Sequence, residues 1–436
     1  MWFGRTIKAT AGVCALGALL LVAGCGDNGD ERSERPRSGR SHDPSADGSP
    51  SSTAAPRTSF PSPHTFDLTS AVPLPDEAEG GRQVTLHGTT AYVWSPESLQ
   101  AVDTSTGTVL ARVTPEREAA FKVTDVLRRV PRPPAVSGTG ADAEVIALFL
   151  VKIPGSGTEP ADYGLEIIGV EAATSRPTWR TEIVLPTWSR DRYPTLSAEV
   201  AGVENGIAVV RASDDDNEMT YAVDLSTHKT VWRKELAPWA VTGGAVVGPN
   251  VADPYAKRHL TAFDIRTGRT LWTGGKSSGA ASAREAGPHL VQFTGGWGIG
   301  ERFVQLLDAR TGKVRSSIDG SFADMGCTYD GRAVIVCTGG GLPAYAFALD
   351  ATSADLVWQL PDKSTDRVAP TVTAVFNGAV YGKVTGTEGA GPVVLDSRTG
   401  LDIETSPGIA PVAVNGYVGI AEDSGSDAAL AYRTTG

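Results

Sequence analysis

Beyond residue 64 the chain repeats one hydropathy pattern: a short apolar run, a cluster of Asp, Asn, Gly, Ser or Thr, then a second short run. Short apolar runs bounded by turn formers predict β-strands. Residues 260–272, LTAFDIRTGRTLW, show the unit most clearly, with Asp264 and Gly268 in the turn and Trp272 in the returning run. In such a turn the Asp carboxylate and the Thr hydroxyl bond the amides that follow, and Gly supplies a positive φ.

Aligned on Asp264, the turn recurs at Asp103, Asp224, Asp308, Asp350 and Asp396, with weaker copies at Glu171 and Tyr432. Successive copies lie 68, 53, 40, 44, 42, 46 and 36 residues apart, so the unit is a repeat. A second position checks the alignment. Trp179, Trp232, Trp272 and Trp358 each stand eight residues after the turn residue, which places four of the nine tryptophans at one repeat position. A large ring at a fixed place in each unit is expected to pack one unit on the next.

Another strand pair with its own turn signal precedes each copy, as in TLHGTTAYVWS, GVENGIAVVRA and TAVFNGAVYGKV. Four short antiparallel strands every forty-odd residues is the arithmetic of a propeller blade. The expected fold is all-β, a β-propeller of eight four-stranded antiparallel blades; seven blades with irregular ends is the alternative, because the Tyr432 copy is degenerate. Residues 65–74, TFDLTSAVPL, are expected to pair with 427–433 as the outer strand of the last blade and so close the ring.

The first 63 residues follow a different pattern. Arg5 and Lys8 precede an apolar stretch over 9–21, and Val22-Ala23-Gly24-Cys25 ends it with small residues before a thiol. Residues 1–24 read as a secretory signal. The run resembles the lipobox of bacterial lipoproteins, which implies a diacylglyceryl chain on Cys25 and a protein anchored to the membrane without spanning it. Residues 25–63, rich in Ser, Pro, Arg, Asp and Gly, read as a disordered tether with a root-mean-square span of roughly 35 Å. The folded domain is then 64–436, and its expected location is extracytoplasmic, on the outer face of the cell membrane.

Charge narrows the partners. The chain holds 39 basic and 50 acidic residues, net −11, and about −13 without residues 1–24. No nucleic-acid partner is expected, because phosphates demand clustered Lys and Arg.

The Asp-x-x-Thr-Gly turn followed by Trp resembles the repeat of the quinoprotein-like (PQQ-like) propeller superfamily, over residues 82–436. That superfamily includes pyrroloquinoline quinone dehydrogenases and non-catalytic lipoproteins. Its dehydrogenases have a longer propeller, a calcium beside the quinone, a carboxylate base and, in many, adjacent cysteines on the cofactor. Here Cys327 and Cys337 are ten residues apart and no acidic group stands in a distinctive context. The non-catalytic branch is therefore expected, with no cofactor.

Cys327 and Cys337 flank TYDGRAVIV, which reads as a hairpin, and are expected to form a disulfide; two buried free thiols are the alternative. GKSSG at 275–279 matches a nucleophile elbow literally but follows a strand with no helix signalled after it. Asp214, Asp216 and Glu218 alternate in SDDDNE and form a weak calcium candidate at a hairpin tip.

Loops between the second and third strands and between blades emerge on one face of a propeller. Assigned to them are Trp94, Trp188, Arg190, Arg192, Tyr193, Trp239, Tyr255 and Trp297, residue types that dominate interaction hot spots. The alternative is that they plug the channel mouth. A Pro/Gly-rich insertion at 129–164 is expected to cover part of this face. The expected function is a non-catalytic binding or scaffold module, monomeric, for a protein, peptide or glycan partner. The alternative is an extracytoplasmic enzyme, a quinoprotein dehydrogenase or a hydrolase or lyase, with its active site at the channel mouth.

Overall fold

The computed structural model describes residues 61–435 apart from 76–82, 121–131, 192–194, 250–258, 276, 278–280, 299–300, 320–324, 340–343, 363, 387–388 and 424–427. The signal, the tether and Cys25 lie outside the described residues.

Eight four-stranded antiparallel sheets make up the fold. Blade 1 comprises Val84–His87, Thr90–Ser95, Ser98–Asp103 and Val109–Val113. Blade 3 comprises Ser197–Glu204, Ile207–Ser213, Glu218–Asp224 and Lys229–Lys234, and blade 4 Ala240–Thr242, Ala245–Pro249, Leu260–Asp264 and Thr270–Gly274. Blades 2, 5, 6 and 7 begin at Ala135, Ser282, Gly326 and Thr371 and follow the same order. The first strand of each blade touches the first strands of both neighbours all the way round, so these strands ring a central channel.

Blade 8 is the composite one. Ala413–Val414, Val418–Glu422 and Ala429–Arg433 take their fourth strand from Val72–Pro73, with Val72 opposite Ala431 and Pro73 opposite Leu430. Phe66 bridges Thr434 beyond it. The chain thus closes its own ring with an N-terminal strand, as the count of strands requires.

The core is divided as the blades are. Eight buried clusters occur, one in each interface between neighbouring blades. In blade 3, Val210 and Tyr221 point into the interface with blade 2, while Val209 and Ala222 point into that with blade 4. Both faces of the middle strands are therefore apolar, which is why these strands read as continuous apolar runs.

The repeat turn takes one form in blades 1–7. In blade 4, Thr267 donates its amide at 3.0 Å and its hydroxyl at 2.9 Å to Asp264 Oδ1, and the Gly268 amide donates to Asp264 O at 2.8 Å. The residue closing the turn has a positive φ every time: Gly107, Ser175, His228, Gly268, Gly312, Ala354 and Gly400.

The preceding blade supplies a further reason for glycine there. A Cβ on Gly268, Gly312 or Gly400 would lie 2.8, 2.7 or 2.7 Å from the ring of Trp232, Trp272 or Trp358. Each of these indoles also donates its N–H across the interface to the carbonyl after the turn acid: Trp232 to Ile265 at 2.8 Å, Trp272 to Ala309 at 2.8 Å, Trp358 to Ser397 at 2.7 Å. Between blades 1 and 2 the Tyr92 hydroxyl serves that acceptor, donating to Ala172 O at 2.9 Å. Trp179 departs from the rule: its N–H donates to Glu144 at 2.7 Å, and its ring stacks at 4.5 Å on His228, which stands in the glycine position. Blade 5 has Ser316 in place of the tryptophan, and the next turn tolerates Ala354.

Cys327 and Cys337 sit directly opposite each other on the first two strands of blade 6 and are joined by a disulfide. One expectation is corrected. Within 129–164, residues 135–137, 144–153 and 162–164 are strands of blade 2: Glu144–Ile153 pairs with Asp162–Glu171 over ten residues, because the apolar run is long enough to extend both strands.

Candidate functional site

The loop face was the first candidate, and the structure separates its members. Trp94 belongs to the strand Thr90–Ser95; it is buried, stacks near Phe149 at 6.5 Å and donates its indole N–H to Leu148 O at 2.9 Å. It is a core residue between blades 1 and 2, since the loop that follows is only two residues long. Trp297 lies in the strand Leu290–Gly298, and its side chain is outside the described residues. Arg192, Tyr193 and Tyr255 also lie outside the described residues.

Trp188 and Arg190 do come together, on the short 3-10 helix Thr187–Asp191 that joins blades 2 and 3. Trp188 is half-buried against the cluster of those blades. Arg190 grips Asp162 with Nε at 2.5 Å and a terminal nitrogen at 3.1 Å, a two-point pair that fixes the loop against the start of a blade 2 strand. The hydrogen bond from Arg190 holds the Asp162 carboxyl below the usual carboxylate range. Trp239 is half-buried where the chain enters blade 4, and its carbonyl accepts from Arg132 at 3.3 Å.

Arg132 leads to the channel, which the loop-centred reading missed. It donates at 2.7 Å to the carbonyl of Ala201, the extra residue of a bulge in the first strand of blade 3, and lies 3.9 Å from Glu199. Glu199 is also paired with Arg211 at 3.2 Å. Glu204 accepts from the Gly244 amide at 2.8 Å, tying blade 3 to blade 4. Glu285, on the first strand of blade 5 beside another bulge, keeps access to solvent while protein encloses it; burial raises its carboxyl pKa, Glu204 adds to the rise and Arg132 opposes it. The signal was available as charges set inside inner strands, SAEVAGVE and SAREAG.

The opposite wall differs. A cavity of about 440 Å³ is lined by Leu86, Val372, Val414 and the hydroxyl-bearing Thr328, Thr338 and Thr373, contributed by blades 6, 7, 8 and 1. Thr373 is itself the extra residue of a bulge. The channel is thus charged on one side and aliphatic with hydroxyls on the other, suited to holding a polar molecule by hydrogen bonds.

The remaining candidates are occupied structurally. Asp214 is buried, and its carboxylate accepts from the amides of Asp216 at 2.7 Å and Asn217 at 2.6 Å, shaping the hairpin tip; Glu218 lies 3.9 Å from Arg211. Among the described residues no group of three His, Cys, Asp or Glu is placed to hold a metal. The buried Ser277 hydroxyl is engaged with the backbone of Gly296, donating to its carbonyl and accepting from its amide at 3.0 Å.

Comparison with known proteins bears on the repeat. Residues 164–318 match the family model PQQ_2, described as outer membrane protein assembly factor BamB. The matched span runs from blade 2 through blade 5, and over it the repeat is similar to this PQQ-like kind. A 1-butanol dehydrogenase (cytochrome c) of Thauera butanivorans is 35% identical over 115 residues, which is 24% of this chain and 16% of that enzyme. Among solved structures, BamB of Moraxella catarrhalis is 13% identical, with 85% of this chain and 100% of that chain covered and a TM-score of 0.47. A quinohemoprotein alcohol dehydrogenase of Pseudomonas putida is 11% identical, with 86% and 76% covered and a TM-score of 0.43.

Proposed function

We propose that this protein is a lipid-anchored, extracytoplasmic binding module: a rigid propeller, held on a tether from Cys25, that docks a protein, peptide or glycan without transforming it. The supporting observation is the use to which the candidate chemical groups are put. Asp214 and the repeat aspartates bind backbone amides, the cysteines form a cross-strand bond, Ser277 is bonded to Gly296, and Arg190 is spent on Asp162. The family match, whose description is an assembly factor, supports the same reading. A quinoprotein enzyme is the second reading, favoured by the local identity to the butanol dehydrogenase.

The test is site-specific photocrosslinking in intact cells. A photoreactive residue at Trp188 or Trp239 is expected to yield one discrete macromolecular adduct, whereas one at Val357, on the outer edge of blade 6, yields none. Absence of adducts from both loop positions, together with dye-linked alcohol oxidation by the natively purified protein, overturns the binding reading in favour of the enzyme.

A further inference from the structure

One repeat position outside the loop face carries an unexplained charge pattern. The fifth residue after the turn acid is Arg176, Lys229, Arg269 and Lys313 in blades 2, 3, 4 and 5. In blades 6, 7 and 1 it is Asp355, Leu401 and Thr108, so the run is confined to consecutive blades. It opens the fourth strand, beside the turn. All four cations are exposed, and none makes an ion pair with a described residue. Arg266 and Arg310 join them on blades 4 and 5; each bonds a neighbouring blade, Arg266 at Asn205 O and Arg310 at Asp264, 3.5 Å away.

Three of the four turn acids on this arc are set differently; the fourth, Glu171, accepts from the Thr174 hydroxyl. Asp224, Asp264 and Asp308 accept the amides of their own turns, so their carboxylates face the backbone while the cations project outward. Exposed aliphatic groups alternate with the cations, Val231 two residues after Lys229 and Val314 next to Lys313. Basic groups interleaved with exposed aliphatic ones suit a surface that is anionic outside and apolar beneath.

The path of the chain points the same way. Phe66 bridges Thr434, the Thr435 amide donates to Thr65 O at 3.1 Å, and the Thr434 amide donates at 3.1 Å to Tyr417 O, in the turn between the first two strands of blade 8. The polypeptide that follows the tether therefore joins the propeller on the face that carries the arc. The first described residues thus enter on this face, opposite the loops around Trp188.

We infer that the basic arc of blades 2–5 is a docking surface for the anionic headgroups of a phospholipid membrane, leaving the loop face outward for its partner. The orientation rests on the proposed anchoring; the electrostatics do not. The net charge of −11 repels an anionic surface at a distance, but screening over about 8 Å at physiological salt leaves the nearest face in control. Each cation at such a surface strengthens binding by about fivefold.

The test is co-sedimentation of the chain from residue 25 to 436 carrying Cys25→Ser, which removes the acceptor thiol, with vesicles of phosphatidylcholine alone or mixed with phosphatidylglycerol. The protein is expected to bind the anionic vesicles at low salt, to be released by high salt and to ignore the neutral ones. Lys229→Gln/Arg269→Gln/Lys313→Gln is expected to weaken binding by about a hundredfold. Lys152→Gln/Lys383→Gln, which neutralises exposed lysines on second strands away from the turns, is expected to leave it unchanged. Circular dichroism checks that the variants are folded. No preference for anionic vesicles, or a triple variant that binds like the parent, overturns the inference; the latter would leave an acidic polypeptide as the occupant to test. The mass of the native protein reports lipid on Cys25 separately, so failure of the anchor and failure of the arc are distinguishable.

Discussion

Gly312→Ala, read with and without Trp272→Ser, tests how one blade is fitted to the next. Gly312 has φ +69° and lies under the Trp272 ring, where an added Cβ would sit 2.7 Å from it. The conformational part of the cost is about 1–2 kcal/mol for an L-residue in the left-handed region. Overpacking against a ring fixed by its 2.8 Å bond to Ala309 O adds about 1–3 kcal/mol. In the parent the substitution is expected to destabilise by about 2–5 kcal/mol. With serine at 272 the steric part disappears, as at Ala354, which follows a blade carrying Ser316. The substitution then costs only about 1–2 kcal/mol, giving a coupling of about 1–3 kcal/mol between the two sites. Urea unfolding followed by tryptophan fluorescence and far-UV circular dichroism supplies the four free energies. An equal cost of Gly312→Ala in both backgrounds refutes the reasoning, since the ring would then not be why glycine stands there.

Other outcomes follow from the same structure. Ala354→Gly is expected to raise stability by about 1 kcal/mol in the same urea titration, because it relieves a φ of +62° with no ring overhead. Reducing the Cys327–Cys337 bond, which closes a loop of sequence separation 10, is expected to lower stability by about 3 kcal/mol, measured with and without reductant. Glu166→Ala removes a buried carboxylate that accepts from Arg180 at 2.7 Å and from the Glu116 amide; unfolding is expected to be easier by about 3 kcal/mol, and Glu166→Gln to recover part of it. The Asp224 carboxyl is held near pKa 2 by its bonds from Ser226 and Thr227, and Asp103, Asp264 and Asp350 are lowered as well. Their folded values lie below the unfolded ones, so this contribution is complete above about pH 4 and is lost as pH falls toward 2. Carboxyl NMR titration of Asp224 at its ordinary value would contradict this.

The blades were legible because the repeat averages over its own copies. No single turn identifies a strand pair, but Asp103, Asp224, Asp264, Asp308, Asp350 and Asp396 at one alignment, with tryptophans at a second, leave little freedom. Ring closure was legible by strand arithmetic. The loop face was read less well. Sequence alone places Trp94 and Trp297 in loops because turn signals locate a turn only to within a few residues, and both strands run further than their apolar cores. Residues 129–164 read as an insertion in sequence because proline and glycine outweigh the run from Glu144 to Ile153. The channel charges escaped notice for a different reason. Whether Glu199 or Glu285 meets solvent, a partner or core depends on the bulges of their strands and on Arg132 arriving from another blade, none of which local sequence encodes.

We propose that this propeller works by holding a macromolecule outside the membrane and not by redox chemistry. Native mass spectrometry of the full-length protein, extracted gently from its own membrane, tests that most directly. The expected result is a chain that starts at Cys25 with a diacylglyceryl modification, in complex with a second macromolecule. A chain carrying one quinone and one calcium, with no macromolecular companion, would contradict it.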